Sequence, residues 1–536
     1  MLILRDGRET MNRWMKQTTA AVMAAGLLMT TSLSAAPAAG GDDMAAILPL
    51  FELDTLAGGS SPGLADGRSV TSAFRYPASL AVLGDGALII SDSGNQSIRT
   101  LKDGMVTTVA GADLGLDEYG SRVGSMQDGS AEQAAFHGPA GLTVDVRGRV
   151  IAADSANHAI RMLEPAGSVV TIAGTGVLGH RDGKAAQALF YNPLDVAVNN
   201  DGVIYVADTL NHVIRKIEDG KVTTLTAASK RIVEYFPGAV SAAGDYADGP
   251  IAQAKFNEPS GLALDAKGNL YVSDTGNHRI RYIDFASGTV TTVAGNPKVV
   301  YGADGVYAEG GFEDGPVGRA AFHTPLGLAV TPDGGLLVAD SLNHAIRYIS
   351  RGIVTTLAGT PGEAGAIDGP AAYGLLHSPA DVVSLGEGEF AVADTGNSQI
   401  RLLKPYSYPA GLKADGRIRI VFGQDIIQTE AEPLIIKGVT FVPVRVISER
   451  LGYKVHYDRA GKQVSLVKSG MSYTLVNGST TVKLGKDEVH HTVQLQEAPF
   501  IRRGRLYLPV RFFAEQTGLD VQWLADVKAV LLRSKP

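Results

Sequence analysis

The chain has 536 residues, of which 64 are glycine, 45% are hydrophobic and none is cysteine; this composition indicates a turn-rich globular protein of two or more domains rather than a disordered chain. The formal charge of −7 is divided unevenly, since residues 41–405 contain 25 basic and 41 acidic side chains and residues 406–536 contain 19 and 12. The acidic larger part argues against a nucleic-acid ligand, because cations that neutralise phosphates dominate such affinity.

The N-terminus predicts an export signal. Arg13 and Lys16 precede an apolar run over residues 20–33, and small residues follow at 36–38, which is the order of a secretory signal. We expect residues 1–39 to be a signal peptide and residues 40–50 a linker, with no transmembrane span after signal removal. The expected location is therefore secreted or extracytoplasmic, with cell-wall association as a further expectation.

An eight-residue motif recurs six times and defines the next part of the chain. Each copy has an aspartate, an asparagine three residues later and an arginine seven residues later, and an Asp-Gly pair stands 26 residues before it. Short alternating runs separated by glycine turns predict four antiparallel strands per unit. Because one such sheet cannot cover both of its apolar faces, we predict an all-β six-bladed propeller over residues 51–404. The motifs begin at Asp92, Asp154, Asp208, Asp274, Asp340 and Asp394.

The two ends of the array predict how the ring closes. Residues 51–58 resemble the last strand of a unit but precede the first unit, and the sixth unit ends at residue 404 without such a strand. We therefore expect the N-terminal strand to complete the sixth blade.

Three segments of each unit carry a family resemblance. In the units around residues 190–295 they read FNEPSGLALD at 256–265, VADTLNHVIR at 206–215 and VTTVAG at 290–295. This pattern resembles the NHL repeat. The resemblance implies a six-bladed propeller that binds proteins, RNA or carbohydrate, with a few enzymes among its relatives.

The last part of the chain is an internal duplication. Residues 433–457 and 499–523 align without gaps at an offset of 66, and in each half a strand leads through a proline into a short helix. The segment resembles the copper amine oxidase N-terminal-like, or stalk, domain of secreted Gram-positive proteins. We expect a linker at 405–414 and a small α/β domain at 415–536, and the charge of +7 over residues 406–536 suits an anionic cell-wall polymer.

The repeated polar residues favour a structural interpretation. A catalytic site occurs once on a ring, whereas a turn made in every blade needs the same side chain each time. We expect each aspartate to accept backbone N–H groups, each arginine to pack between blades, and the repeated histidines to serve the fold as well. Those histidines are His158, His212, His278 and His344.

The sequence predicts no catalytic residue, metal site or cofactor. The pattern Gly174, Gly176, Gly179 matches a dinucleotide fingerprint, but no βαβ crossover follows it. The chain also lacks the Asn-Tyr-Asp/Glu and His-x-His sequences of amine oxidases and the zinc-ligand histidines of the NHL-like lyases. An enzyme is therefore less expected than a binding protein. The alternative is a propeller-type metal-dependent hydrolase or lyase with ligands from non-equivalent blades.

One face of the ring is expected to bind a protein, peptide or carbohydrate ligand. Histidines vary from blade to blade near its mouth, two aspartates occupy opposite units, and tyrosines occur in long connections at 112–127, 227–247 and 296–313. There are two alternative interpretations: the histidines and aspartates are a solvated polar lining of the channel, and the tyrosines only pack against their own loops. The candidates are His137, His323, His377, Asp195, Asp381, Tyr235, Tyr246 and Tyr301.

Overall fold

The computed structural model describes residues 50–536 except 60, 237–238, 303–304, 430, 459–462 and 487–488. The predicted signal peptide and nearly all of the first linker lie outside the described residues. Two compact units are present: residues 54–366 with 375–404, and residues 51–53 and 367–374 with 405–536. Within the described ranges, no helix is both long and apolar enough to cross a membrane.

Six five-stranded sheets form the blades, each with its innermost strand starting at a proline or two residues after one and its described pairs antiparallel. The first strand of the described residues is β1 (Phe51–Ala57), and blade 1 contains β2 (Gly67–Arg68), β3 (Pro77–Val82), β4 (Leu88–Asp92), β5 (Ser97–Lys102) and β6 (Met105–Ala110). Blade 2 contains β7 (Gly129–Ser130), β8 (Pro139–Val144), β9 (Val150–Asp154), β10 (Ala159–Leu163) and β11 (Ser168–Ala173). Blade 3 contains β12 (Gly183–Lys184), β13 (Asp195–Val198), β14 (Ile204–Asp208), β15 (Val213–Glu218) and β16 (Lys221–Thr224).

A separate hairpin of β17 (Arg231–Phe236) and β18 (Ala239–Ala243) precedes the second half of the ring. Blade 4 contains β19 (Gly249–Pro250), β20 (Pro259–Leu264), β21 (Leu270–Asp274), β22 (Arg279–Asp284) and β23 (Thr289–Ala294). Blade 5 contains β24 (Gly315–Pro316), β25 (Pro325–Val330), β26 (Leu336–Asp340), β27 (Ala345–Ser350) and β28 (Ile353–Ala358). Blade 6 contains β29 (Gly369–Pro370), β30 (Asp381–Gly386), β31 (Glu389–Asp394) and β32 (Gln399–Pro405).

The prediction of four strands per blade is wrong by one. The glycine of each Asp-Gly pair starts a two-residue strand that joins the outer edge of the sheet. Gly67, for example, has φ +121 and pairs with Val106. This backbone conformation is open to glycine and strained for other residues, which explains why a glycine stands at this point in every unit.

The six blades form a closed ring. The innermost strands contact one another in the order β3, β8, β13, β20, β25, β30 and back to β3. Among the described residues, apolar cores join neighbouring blades at five of the interfaces, such as the one that joins Ile98 of blade 1 to Phe136 of blade 2. The sixth sheet has the order β29-β1-β32-β31-β30. The predicted closure by the N-terminal strand is therefore confirmed, as is the all-β propeller.

The C-terminal unit shows the predicted duplication. Its strands form two four-stranded sheets and one five-stranded sheet around a single core, with a short helix in each half. Pro443 and Pro509 precede the two helices, and Gly518 ends the second with φ +68. The elements are β33 (Arg419–Phe422), β34 (Asp425–Ile427), β35 (Leu434–Ile436), β36 (Val439–Pro443), α1 (Val444–Arg450), β37 (Lys454–Asp458), β38 (Gln463–Lys468), β39 (Met471–Val476), β40 (Thr481–Lys486), β41 (Val489–Gln494), β42 (Phe500–Arg502), β43 (Arg505–Pro509), α2 (Val510–Thr517), β44 (Leu519–Leu524) and β45 (Ala529–Ser534).

Candidate functional site

The repeated aspartate ties a turn to the beginning of the innermost strand. In blade 2, Asp154 Oδ1 accepts the backbone N–H of His137 at 2.8 Å, and Oδ2 accepts bonds from Asn157 at 2.8 Å and Arg161 at 2.6 Å. Asp154 and Arg161 are both fully buried. The other five blades repeat the three bonds, so the motif is structural.

The repeated arginine acts inside its own blade. Arg161 donates to the carboxylate of Asp128 at 2.8 Å, and its guanidinium lies 5.1 Å from the centre of the Phe136 ring. Asp128 in turn accepts the backbone N–H of Thr171 on the outer strand at 3.0 Å. The hydrogen-bond partners of this arginine thus lie in its own blade, whereas the Phe136 ring that it contacts belongs to the core shared with blade 1, so the expectation that it packs between blades is not contradicted. The arginine joins the inner and outer edges of one sheet through two carboxylates.

The residue after the repeated asparagine joins each blade to the next. In blade 4, Nδ1 of His278 accepts the backbone N–H of Thr324 in blade 5 at 2.9 Å. All six interfaces contain this interblade bond, although the side chain differs in two of them. The acceptors and donors are Gln96 with Gly138, His158 with Asn192, His212 with Glu258, His278 with Thr324, His344 with Ser378 and Ser398 with Tyr76.

The interblade bond requires a neutral imidazole, because a protonated Nδ1 cannot accept a hydrogen bond. Burial lowers the pKa of His212, His278 and His344 to about 4. The repeated histidines thus have the structural role that their repetition predicts.

Acid is expected to weaken these interfaces. The folded pKa of His278 lies below the unfolded value of about 6.5, so the unfolded chain binds more protons between these values and stability falls as pH drops from about 6.5 to 4. His278→Gln should reduce this loss, because Gln96 makes the same bond in blade 1 without titrating in that range. The measurement is the thermal midpoint of the propeller across this range. His456→Gln, on exposed β37, is the control, and an unchanged acid loss in His278→Gln would contradict the assigned role.

The three candidate histidines lie in different blades. The ring of His323 meets that of His278 edge-on at 5.3 Å between centroids, and His377 meets His344 in the same way at 5.7 Å. His137, in blade 2, keeps part of its surface in solvent, and partial burial lowers the pKa of His137 and of His323. The structure therefore places His323 and His377 against histidines of the interblade bonds and does not gather the three candidates into one group.

Asp195 and Asp381 do share a cavity. They begin the innermost strands of blades 3 and 6, which are opposite in the ring. The axial cavity has a volume of about 290 Å³ and is lined by all six innermost strands. Burial raises the pKa of Asp381 to about 6, and burial together with the negative charge of Asp381 raises that of Asp195 well above its ordinary value. These two candidates form the one acidic pair among the residues that line this cavity.

Two of the three candidate tyrosines pack against the loops, Tyr246 within its own connection and blade and Tyr301 against a neighbouring connection. The Tyr246 hydroxyl donates to Asp248 at 3.0 Å, and the guanidinium of Arg279 lies 4.5 Å from its ring centre. The guanidinium of Arg231, on the β17–β18 hairpin, lies 3.6 Å from the ring centre of Tyr301. The side chain of Tyr235 is outside the described residues. Tyr246 and Tyr301 thus stabilise the loops, and their part in ligand binding stays a prediction.

Among the described residues, no group of three His, Cys, Asp or Glu side chains is arranged to hold a metal ion.

The two faces of the ring differ in the length of their connections. The connections that join an outer strand to the next blade span residues 111–128, 225–248 and 295–314 in three places. The turns on the opposite face are short, as between β3 and β4. Long loops on a rigid ring provide a candidate binding surface.

Comparison with known proteins agrees with this architecture. The family model of the NHL repeat matches residues 190–217, 256–281 and 322–347, and the model of the copper amine oxidase N-terminal domain matches residues 420–532. The chain therefore contains an NHL-repeat β-propeller and a copper amine oxidase N-terminal domain.

Named relatives share the repeat region. The protein SUPPRESSOR OF QUENCHING 1, chloroplastic, of Arabidopsis thaliana is 31% identical over 358 residues, which cover 63% of this chain and 31% of that protein. NHL repeat-containing protein 2 of Homo sapiens is 29% identical over 339 residues, covering 58% of this chain and 44% of that protein. The chain thus spans less than half of these relatives. A solved auxiliary nutrient binding protein from Bacteroides thetaiotaomicron aligns at 16% identity with a TM-score of 0.46, over 68% of this chain and 78% of that chain.

Proposed function

We propose that the propeller is a binding module that holds a protein or peptide partner on its loop face. The loop face is defined by the outer-to-inner connections at 111–128, 174–182, 225–248 and 295–314. The observation that carries the proposal is a set of exposed apolar side chains on these four connections. On a soluble protein, apolar side chains gathered on one face are typical of an interaction site.

Each of the four connections carries exposed apolar side chains. Leu116 is 63% exposed, Val177 61%, and Ile232 70%. On the hairpin, Ile232 pairs with Ala242, and Val240 pairs with Glu234, so the register places all four on the same face of the two-stranded sheet. Further members of the set are Leu114, Val123, Leu178, Val240 and Val300.

The connections are anchored to the ring. The loop at 295–314 is fixed where Asn257 Nδ2 donates to the carbonyl of Val306 at 2.8 Å and where the backbone N–H of Ala308 donates to Gly276 at 2.9 Å. In the loop at 111–128, the carbonyl of Ser125 accepts a hydrogen bond from Asn157 Nδ2 of blade 2 at 2.9 Å. A surface held in this way loses little conformational entropy when a partner binds. The anchored loops therefore favour binding of a partner over the alternative that these side chains only pack their own loops.

The C-terminal domain is proposed to attach or orient the propeller outside the cytoplasm. The net charge of +7 over residues 406–536 and the exposed basic side chains of Lys437, Arg502 and Arg503 at two hairpin turns support contact with an anionic polymer of the cell wall. The signal-like N-terminus supports the location.

The loop face is expected to lose binding when a charge replaces an apolar side chain. Leu116→Asp and Ile232→Asp should each lower the affinity for the purified partner at least about tenfold, because a carboxylate that is buried without a counter-charge opposes association. Val146→Asp is the matched control, since Val146 is 70% exposed on the turn between β8 and β9 of the opposite face. Isothermal titration with a partner recovered on the intact protein measures all three. Weakening by Val146→Asp alone would assign the partner to the opposite face.

A further inference from the structure

Asp195 and Asp381 each stand two residues after the proline that precedes an innermost strand, and each contacts the following blade. Asp195 Oδ2 accepts the backbone N–H of Leu262 in blade 4 at 2.8 Å, and Asp381 Oδ2 accepts that of Leu80 in blade 1 at 2.9 Å. The Oδ1 atom of each aspartate accepts the N–H of the next residue in its own strand at 2.8 Å. Each carboxyl group therefore joins two blades, one pair on either side of the ring.

The preceding blades leave room for these carboxyl groups. A Cβ atom on Gly141 of blade 2 would lie 2.0 Å from Asp195 Oδ1, and one on Gly327 of blade 5 would lie 2.0 Å from Asp381 Oδ1. Any larger residue would therefore displace the carboxyl group. The pairing of a glycine with an aspartate occurs twice, half a turn apart, and makes the axial aspartates a built feature of the ring.

The two aspartates differ in one hydrogen-bond donor. Ser79 Oγ donates to Asp381 Oδ2 at 2.8 Å and accepts the N–H of Leu142 at 3.1 Å. Blade 4 has Gly261 at the position of Ser79, so Asp195 has no such hydroxyl donor. Because a donor stabilises the ionised carboxylate, Asp381 should ionise before Asp195.

No cation lines the cavity to offset two negative charges. Apart from the two aspartates, its lining in the described chain consists of aliphatic side chains and the hydroxyl residues Ser79, Thr143 and Ser384. Once Asp381 is ionised, its charge opposes ionisation of Asp195 across the axial cavity. The pair therefore titrates in two steps.

We propose that the axial cavity retains one proton, held on Asp195 after Asp381 has ionised, and that this proton regulates the strength of the interfaces between blades 3 and 4 and between blades 6 and 1. The pair thus forms a pH-sensitive device at the centre of the ring. The second of these interfaces involves blade 6, the blade whose sheet the N-terminal strand β1 completes.

The sign of the effect follows from linkage. Both folded pKa values lie above the unfolded value of about 3.8, so the folded protein binds more protons than the unfolded chain in that range. The stabilisation is present at low pH and is lost as pH rises through the folded pKa values. Alkaline pH should therefore loosen the ring, opposite to the effect at the interblade histidines.

Infrared spectroscopy of the full chain tests the proposal through the C=O stretch of a protonated carboxyl group at neutral pH. We expect Asp195→Asn to abolish this band and Asp381→Asn to retain it with its midpoint shifted to lower pH, because the neighbouring charge is gone. Ser79→Ala should shift the first ionisation to higher pH. Far-ultraviolet circular dichroism establishes that each variant is folded.

The thermal midpoint of the propeller provides a second readout. In the wild-type protein the midpoint should fall between weakly acidic and alkaline pH. In Asp195→Asn the part of this fall caused by Asp195 should disappear, whereas the part caused by Asp381, whose pKa burial raises to about 6, should remain. Absence of a protonated carboxyl band in the wild-type protein at neutral pH would overturn the proposal. So would loss of the band in Asp381→Asn with retention in Asp195→Asn.

Discussion

A chain that begins at residue 58 is expected to lose the closed ring, in contrast to one that begins at residue 50. Strand β1 lies between β29 and β32 in the sixth sheet, and Leu53 and Ala57 within it are fully buried. Loss of Leu53 alone removes about 2–3 kcal/mol of burial, and the exposed edge of β32 then becomes a site for aggregation. We expect a large fall in thermal midpoint together with aggregation, measured by calorimetry and light scattering.

The control for this deletion is addition of the missing strand as a separate peptide. A synthetic peptide of residues 51–58 should restore part of the midpoint of the shortened chain, whereas the same residues in scrambled order should not. An equal midpoint for the two chains would contradict closure by β1.

Arg161→Met is expected to destabilise the propeller by about 3–5 kcal/mol, because it leaves the buried carboxylate of Asp154 without its cation. The two side chains are completely removed from water, and they pair at 2.6 Å. Chemical denaturation of the propeller measures the loss.

Two further variants separate the buried charge from the general effect of substitution. Asp154→Asn combined with Arg161→Met should recover part of the loss, since no unpaired charge remains. Lys102→Met removes a pair with Asp85 of similar length, 2.6 Å, in which both side chains are about half exposed, and should have little effect. A loss for Arg161→Met as small as that for Lys102→Met would show that the buried network does not determine stability.

The periodic features of the fold were predictable from the sequence. Six copies of one motif predict six blades, and the single strand-like segment at residues 51–58 predicts the closure, because each follows from spacing. The fifth strand was missed since two residues, such as Gly67 and Arg68, are too short to show alternation. The Asp-Gly spacing was its only signal.

The sequence predicted where the candidate residues lie better than it predicted what they contact. The order of the six repeat units placed Asp195 and Asp381 opposite each other, and the structure brings them to one cavity. The sequence did not identify Gln96 and Ser398 as acceptors of interblade bonds, because their side chains differ chemically from the histidine of the other blades. Their position directly after the repeated asparagine would have identified them. The contacts of Tyr301 depend on the hairpin of a neighbouring connection, which no local pattern encodes.

The most direct test of the loop face uses the absence of cysteine from the chain. Single cysteines introduced as Leu116→Cys on the loop face and as Val146→Cys on the opposite face each carry the same photoactivatable cross-linker, and each labelled protein is mixed with the purified partner. If the partner binds the loop face, the Leu116→Cys protein should yield cross-linked partner and the Val146→Cys protein little. Cross-linking from Val146→Cys without cross-linking from Leu116→Cys would contradict it.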